Sequence, residues 1–420
     1  MKYSGDTLSA QSMVSFVFCT MAAFGALTFG HPVAAVAQQS ASPTSAEPPA
    51  EPDQSSTGQP LAAPVADAES EAEFVPKFKP SGEVKVRVQS EKRGEEEERK
   101  QGRMSARLGI KFDIRETLNF QIRMMTGASA GSGSQTLGDN KTKPSERRSF
   151  GLDVAAINYT PFDKVLVSAG RIPSPYEFVG KSQLILDRDI TLEGLGAKGE
   201  LQLIDGLSLS SAVGSFWIRE LYDNVEYYVD QTDCFFNGLQ LRTKIEYAGW
   251  KAQIGVGSFA ATNIAGQPTA TLASSEPRGN STNPAPDSTY LYNYNMDETF
   301  LELQIPVEPV RLSLFGQMVK NINPSELNQA SSVGLAVGLG KLDLSVAKQK
   351  VEKDAVFAIL TDADFAGGET DSDGLVATLT LKMSNHHQWS MWWMDGKNQF
   401  ETIADGKKYS RVHFEFATTF

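Results

Sequence analysis

From Pro80 to the last residue, Phe420, apolar and polar residues alternate with a period of two. A strand carries that period when its two faces meet different surroundings. The final segment shows it best: Val412, Phe414, Phe416 and Phe420 fall on one face, and Arg411, His413, Glu415 and Thr419 on the other. Further upstream, Met104, Ala106, Leu108, Ile110, Phe112 and Ile114 alternate with Arg103, Ser105, Arg107, Gly109, Lys111 and Asp113. Soluble sandwiches share this texture, so the connections between strands have to decide.

The pattern predicts strands near 82–90, 102–114, 118–129, 149–161, 165–173, 190–203, 207–219, 235–247 and 250–261, and then near 298–306, 310–321, 331–340, 342–352, 373–384, 388–396 and 408–420. The links alternate strictly in length. Short ones are Arg115–Thr117, Phe162–Lys164, Ile204–Gly206, Ala248–Gly249, Val307–Pro309, Lys341 and Asn385–His387. Long ones span 91–101, 130–148, 174–189, 220–234, 262–297, 322–330, 353–372 and 397–407. A barrel inserted into an outer membrane from one side sorts its loops this way, because only one rim must cross the bilayer. A soluble sandwich has no reason to do so. The expected fold is all-β: a transmembrane antiparallel up-and-down β-barrel of about 16 strands, with short periplasmic turns and long external loops. Boundary uncertainty also admits about 14 or 18 strands. An unpaired backbone group in lipid costs several kcal/mol, so the first strand must pair with the last.

Composition is compatible with this fold. The chain has 420 residues, a net charge of -12 and a mean hydropathy of -0.27. Only alternate barrel residues face lipid, so a low average is expected. Past residue 37 no run of about 20 apolar residues occurs, which excludes a helical membrane bundle. The acidic balance gives no reason to expect nucleic acid as a partner. Lys2, the apolar stretch Met13 to Phe29 and the small-x-small site Ala35-Val36-Ala37 read as a signal peptide over 1–37, the alternative being a buried soluble helix. Cys19 lies in that apolar stretch without a lipoprotein box, and cleavage leaves Cys234 as the one cysteine, with no Cys/His spacing for zinc. Residues 38–79, rich in Ala, Pro, Ser, Glu and Gln, read as a disordered periplasmic arm. It is a passive tether, or else a contact with the cell wall. The barrel then occupies 80–420, in the cell outer membrane.

Asn158-Tyr159-Thr160-Pro161-Phe162-Asp163, Ala169-Gly170-Arg171-Ile172-Pro173 and the stretch Leu184-Ile185-Leu186-Asp187-Arg188-Asp189-Ile190-Thr191-Leu192-Glu193-Gly194 resemble the putative porins of Gram-negative outer membranes. The likeness covers about residues 80–420 and leaves the arm aside. It implies an outer-membrane pore without an agreed set of substrate-binding residues. Phe420, with Phe416 and Phe414 before it, resembles the signal read by the barrel-assembly machinery. The partners implied are outer-membrane lipids, that machinery, further copies of the chain in a homotrimer, and small solutes or ions in transit. In trimeric porins the third external loop commonly folds inward. The resemblance implies the same for 174–189, which carries Tyr176, Glu177, Lys181, Asp187, Arg188 and Asp189. Arg171 joins this constriction unless a bulge at Gly170 turns it away. The other reading is an ordinary surface loop with solvated charges.

Lumen-facing residues set conductance and selectivity in large barrels. Strand parity turns Lys85, Arg87, Arg103, Arg107, Lys111, Arg123, Lys198, Arg242, Lys244, Arg311, Lys382 and Arg411 inward, with Glu83, Asp113, Glu200, Glu246, Glu302, Asp343 and Glu415 on the same wall. A net basic wall favours anions. The competing reading is a set of solvated charges partly paired across strands, and a one-residue slip would turn the wall inside out. Trp389, Met391 and Trp393 share a face, and Trp217, Tyr247 and Trp250 lie near strand ends, as a headgroup girdle requires.

Other features carry no chemistry of their own. Gly334 to Lys341 has the wrong spacing for a phosphate loop, and Leu342 stands where Ser or Thr is needed. Asp362, Asp364, Asp371 and Asp373 read as a solvated acidic loop, without the closing Glu of a calcium hand. Glu95 to Glu98 form a solvated tip, and His386 and His387 sit in a turn without partner ligands. No Ser/His/Asp or Cys/His set gathers on one rim, and no cofactor or metal is expected. The chain reads as a passive channel for small hydrophilic solutes or ions. One alternative is a binding protein or receptor acting through its external loops. A less favoured one is a barrel-housed enzyme, which would need a nucleophile and base at the outer rim.

Overall fold

Alternation resolves into sixteen long strands among the described residues. The computed structural model describes residues 75–127, 133–138, 147–180, 182–221, 232–272, 276–286, 288–399, 402 and 406–420. The expected signal peptide and the arm up to residue 74 lie outside them.

The strands are β1 (Lys77–Arg93), β2 (Arg99–Arg115), β3 (Leu118–Thr126), β4 (Phe150–Phe162), β5 (Val165–Pro173), β6 (Thr191–Ile204), β7 (Leu207–Arg219) and β8 (Cys234–Tyr247). They continue as β9 (Trp250–Thr262), β10 (Tyr294–Val307), β11 (Val310–Asn321), β12 (Gln329–Leu339), β13 (Leu342–Val351), β14 (Ser372–Lys382), β15 (His387–Asn398) and β16 (Lys407–Thr419). A further two-residue strand, Gln135–Thr136, hangs on β2 through Arg103 and Met104. Each barrel strand pairs antiparallel with its neighbours in sequence.

The sheet closes where the bilayer demands it. β1 pairs with β16 from Glu83↔Thr419 to Arg93↔Tyr409. Gly82 and Phe420 then exchange backbone hydrogen bonds of 3.1 and 3.0 Å. The Phe420 ring lies where a Cβ on residue 82 would stand, so glycine is what lets the terminal aromatic seat against the first strand. The edges of the first and last strands are thereby paired with each other.

Several boundaries differ from the sequence reading by a few residues, most at the first hairpin. β1 begins at Lys77, within the stretch assigned to the arm, and the first external link shrinks from 91–101 to 94–98. There the hairpin extends with charged residues, Glu91 opposite Arg99 for example. Ladder hydrogen bonds continue into water, where hydropathy gives no sign of them.

The two strand faces separate cleanly. On β2, Leu108 and Ile110 are 50% and 52% exposed, whereas Ser105 is 7% exposed. Val84, Val86 and Val88, Leu375, Leu379 and Leu381, and Phe414 continue the exposed apolar surface around the barrel. At the short-turn rim Tyr159, Phe162, Tyr247, Trp250 and Trp389 are exposed, and Trp389 packs on Phe416 with ring centroids 4.9 Å apart. Trp217 lies toward the other rim beside Phe235. Amphipathic rings at both rims suit the two headgroup layers.

The interior is not an empty tube. Inward residues such as Val154, Ile172, Phe216, Phe236, Phe259, Tyr294 and Met394 form one apolar cluster with Leu184, Val356, Phe357, Leu360 and Phe365, which come from long connections. Long loops therefore fold into the barrel.

If lipid covers the Leu108 face, Leu108→Arg destabilises the barrel by about 2–4 kcal/mol near the bilayer midplane. Unfolding by urea from lipid vesicles measures this. A change near zero would place Leu108 in water.

Candidate functional site

Strand parity sets an ion-paired lining on the inner wall. Lys85 meets Glu83 at 3.0 Å and Arg87 meets Glu415 at 3.0 Å. Arg107 reaches Glu83 at 3.4 Å, Arg123 holds Asp153 at 2.6 Å, and Lys111 approaches Asp113 at 3.9 Å. Lys244 pairs with Glu200 at 2.8 Å, while Arg311 and Lys382 share Asp343 at 3.2 and 2.8 Å. Arg103 donates to the backbone oxygen of Ser134 at 2.9 Å. Arg411 and Arg242 are buried. Lys198 has no ion-pair partner among the described residues and lines a cavity with Arg242 and Lys244.

The loop between β5 and β6, residues 174–190, lies along this wall. Tyr176 anchors it: its hydroxyl donates to the Gly238 carbonyl at 3.0 Å. Its ring meets those of Phe259, Phe236 and Phe216 edge-on at 5.0, 6.2 and 6.5 Å. Gly238 leaves the room, since a Cβ there would press on the Tyr176 ring. Further along, the Glu177 backbone N–H donates to Gln240 at 2.8 Å, and its carboxylate pairs with Arg242 at 3.2 Å. The Gly180 N–H donates to Glu302 at 3.1 Å, and the Ser182 hydroxyl bonds Gln317. Arg188 closes the loop on itself through the Gly180 carbonyl at 2.9 Å and covers the Phe178 ring. Asp189 then reaches Arg107 on β2 at 2.8 Å. Of the residues singled out by sequence, Tyr176, Glu177, Asp187, Arg188 and Asp189 all lie in this inward loop. Lys181 falls outside the described residues. Arg171, near the end of β5, pairs with Glu193 of β6 and donates to the Asp153 carbonyl at 3.0 Å, so its bonds go to strands.

A second inward loop, residues 352–371 between β13 and β14, is what sequence reading missed. Asp362 and Asp364, expected in a solvated loop, are instead part of the interior. Thr361 donates to the Leu184 carbonyl at 2.7 Å, the Asp187 N–H to the Leu360 carbonyl at 2.7 Å, and the Ala363 N–H to the Asp187 carboxylate at 3.0 Å. Asn280, from the long connection between β9 and β10, donates to the Val356 carbonyl and accepts from the Ala358 N–H, both at 2.9 Å. Asp364 bridges Arg411 at 2.9 Å and Arg87 at 3.3 Å. A signal was present in Ala355-Val356-Phe357-Ala358-Ile359-Leu360: a continuous apolar run is out of place in an exposed loop.

Two acidic loop edges thus press against arginines gathered on β1, β2 and β16. Burial works to raise the Asp364 carboxyl, but Arg411 and Arg87, with His413 and Arg103 behind them, hold it down at about 2. Asp189 is likewise lowered, with burial overcome by Arg107. Asp362 goes the other way: burial first, then the Asp364 and Asp187 carboxylates, raise it to about 7. Burial also raises Asp187, against the hydrogen bonds it accepts from Asp189 and Ala363.

The free space follows this layout. A cavity of about 500 Å³ on the long-loop side touches Asp189, Met125, Asp153, Arg171 and Leu360. A smaller space of about 20 Å³, which shares Asp189 and Met125 with that cavity, lies among Lys85, Arg87, Arg103, Arg107 and Glu415, room for about one water. Among the described residues no group of three or more His, Cys, Asp or Glu is placed to hold a metal.

A closed sixteen-stranded barrel, with short periplasmic turns and long external loops of which at least two narrow the lumen, defines an outer-membrane porin. The model of the family described as putative porin matches residues 67–297, and the chain belongs to that family. Its fold is similar to that of OprB from Pseudomonas putida, with 11% identity over 82% of this chain and 94% of that one, and a TM-score of 0.51. OmpF of Salmonella typhi aligns over 82% of this chain and 97% of its own at 11% identity and a TM-score of 0.48. No curated protein matches the sequence.

The carboxyl raised at Asp362 gives a pH dependence. In the folded state it binds its proton up to about pH 7, whereas an unfolded Asp loses it near 3.9. Its contribution to holding the two loops together is therefore present at low pH and lost as pH rises through about 7. Protection of the Asp187 and Ala363 amides, corrected for intrinsic exchange, is expected to fall between about pH 4 and about pH 7, and Asp362→Asn is expected to flatten that fall. Exchange rising in parallel in the variant would assign the effect elsewhere.

Proposed function

We propose that the barrel is a passive diffusion channel for small hydrophilic solutes and ions, weakly favouring anions, with no catalytic step. The observation that carries this reading is the charge separation inside the barrel, Arg87, Arg103, Arg107 and Arg411 on the wall and Asp189 and Asp364 on the inward loops. In a narrow, low-dielectric passage such a pair of edges makes a transverse field that orients polar solutes. Asp189 and Asp364 neutralise part of the arginine wall, which keeps the preference small. Lys164 and Lys198, without ion-pair partners among the described residues, tilt it toward anions. The remaining lumen residues, Lys85, Lys111, Arg123, Arg242, Lys244, Arg311 and Lys382, shape the field on either side.

A cleaved signal over 1–37, a tethering arm over 38–79 and a barrel over 80–420 complete the organisation. The chain acts as a homotrimer, and Phe414, Phe416 and Phe420 present it to the barrel-assembly machinery. The family and the fold support a channel rather than an enzyme.

Planar-bilayer recording in a potassium chloride gradient tests the reading. Stepwise, ohmic conductance is expected, with a reversal potential displaced toward chloride. Replacing Arg87, Arg103 and Arg107 together by Ala is expected to move that potential toward potassium. A cation-selective wild-type channel would overturn the anion preference, and absence of conductance would overturn the channel.

A further inference from the structure

A second cavity, of about 410 Å³, lies on the periplasmic side of the inward loop. Thr160 and Lys164 beside one short turn, Lys198 and Glu200 on β6, Ser210 on β7, Arg242 and Lys244 on β8, and Glu177 of the loop line it. Its volume matches that of small-molecule sites and holds at least about a dozen waters at liquid density. A passage for ions alone has no need of such a recess.

The charges in this recess do not cancel. Four cationic side chains, Lys164, Lys198, Arg242 and Lys244, face two carboxylates, Glu177 and Glu200. Glu200 is taken by Lys244 at 2.8 Å and Glu177 by Arg242 at 3.2 Å. Lys164 and Lys198 remain, and both are exposed to the recess. Arg242, only 8% exposed, adds a second observation: its Nε is buried without a hydrogen-bond partner. A buried guanidinium N–H left unmet costs free energy unless something supplies an acceptor. Ser210, whose hydroxyl lies 3.5 Å from Arg242 Nη2, adds a neutral polar group beside it.

We infer that this recess is a binding subsite for a small divalent organic anion, such as a dicarboxylate or a sugar phosphate, on its way through the channel. The assignment rests on the channel reading above and adds a solute class to it. Lys164 and Lys198 supply the two unmatched positive charges. Charge-assisted hydrogen bonds from these groups are the strong kind, and low local dielectric inside the barrel strengthens them further. A subsite of this sort holds a solute near the pinch and raises its local concentration, at the cost of saturation at high flux.

Calorimetric titration of the detergent-solubilised, folded full chain tests the site without relying on conduction. The probes are succinate and glucose 6-phosphate, with acetate and neutral succinamide as controls. Saturable binding of at least one divalent probe is expected, weakened about tenfold or more in Lys164→Ala/Lys198→Ala and restored in Lys164→Arg/Lys198→Arg. Weakening of succinate alone or of the phosphate alone tells which source of the dianion fits. No heat with either divalent probe, equal binding of succinamide, or unchanged affinity in the Ala variant would overturn the subsite. Bilayer recording separates this from the channel reading. Saturable reduction of chloride current by succinate is expected in wild type, and chloride conductance without any such reduction sinks the subsite alone.

Discussion

A bilayer supplies no hydrogen-bond partner to a peptide group, and this single fact governs the rest of the molecule. Each strand must have a neighbour on both sides, so the sheet has to close, and among the described residues β1 pairs with β16, a strand not adjacent to it in sequence. Closure fixes parity all the way round, because a slip of one residue would exchange lipid and lumen faces along a whole strand. Leu108 and Ile110 can face lipid only if Arg107 and Lys111 face the lumen. The charged lining is therefore as much a consequence of the bilayer as the apolar belt is.

Once the wall is charged inside, what enters the lumen is decided by pairing. Loop 174–190 brings several apolar anchors, Tyr176 and Leu184 to Leu186 among them, and an acidic end, Asp189; loop 352–371 brings an apolar run and Asp364. Burial of the aromatic and aliphatic side chains draws both loops in, and the arginines on β1, β2 and β16 fix where their acidic ends stop. The backbone bonds between 183–187 and 360–363 then make the two loops one constriction. Neither loop would place its carboxylate alone, since each leans on the other as well as on the wall.

Much of this architecture was legible in sequence because period two and loop-length alternation are direct imprints of lipid on one side and assembly from the other. The sixteen strands, the pairing of first with last and the inward turn of residues such as Arg107, Arg242 and Arg411 follow from those patterns. The inward fold of 174–190 came from family likeness instead, since nothing in its spacing distinguishes a constriction from a surface loop. The second loop went unread. Its aspartates outweighed Ala355 to Leu360 in the reading, although an apolar run between two strands has to be buried somewhere, and here it packs against the apolar cluster inside the barrel. Ladder length beyond the membrane, as at 94–98, leaves no trace in hydropathy.

The measurement that bears most directly on the account is a cysteine scan across Arg107 to Asp113, in protein reconstituted into lipid vesicles with Cys234 replaced by Ser. Positions 107, 109, 111 and 113 are expected to react with a charged, water-soluble thiol reagent, and 108, 110 and 112 to resist it while being quenched by lipid-borne probes. Uniform reactivity along the strand, or the opposite alternation, would contradict a wall with water inside and lipid outside.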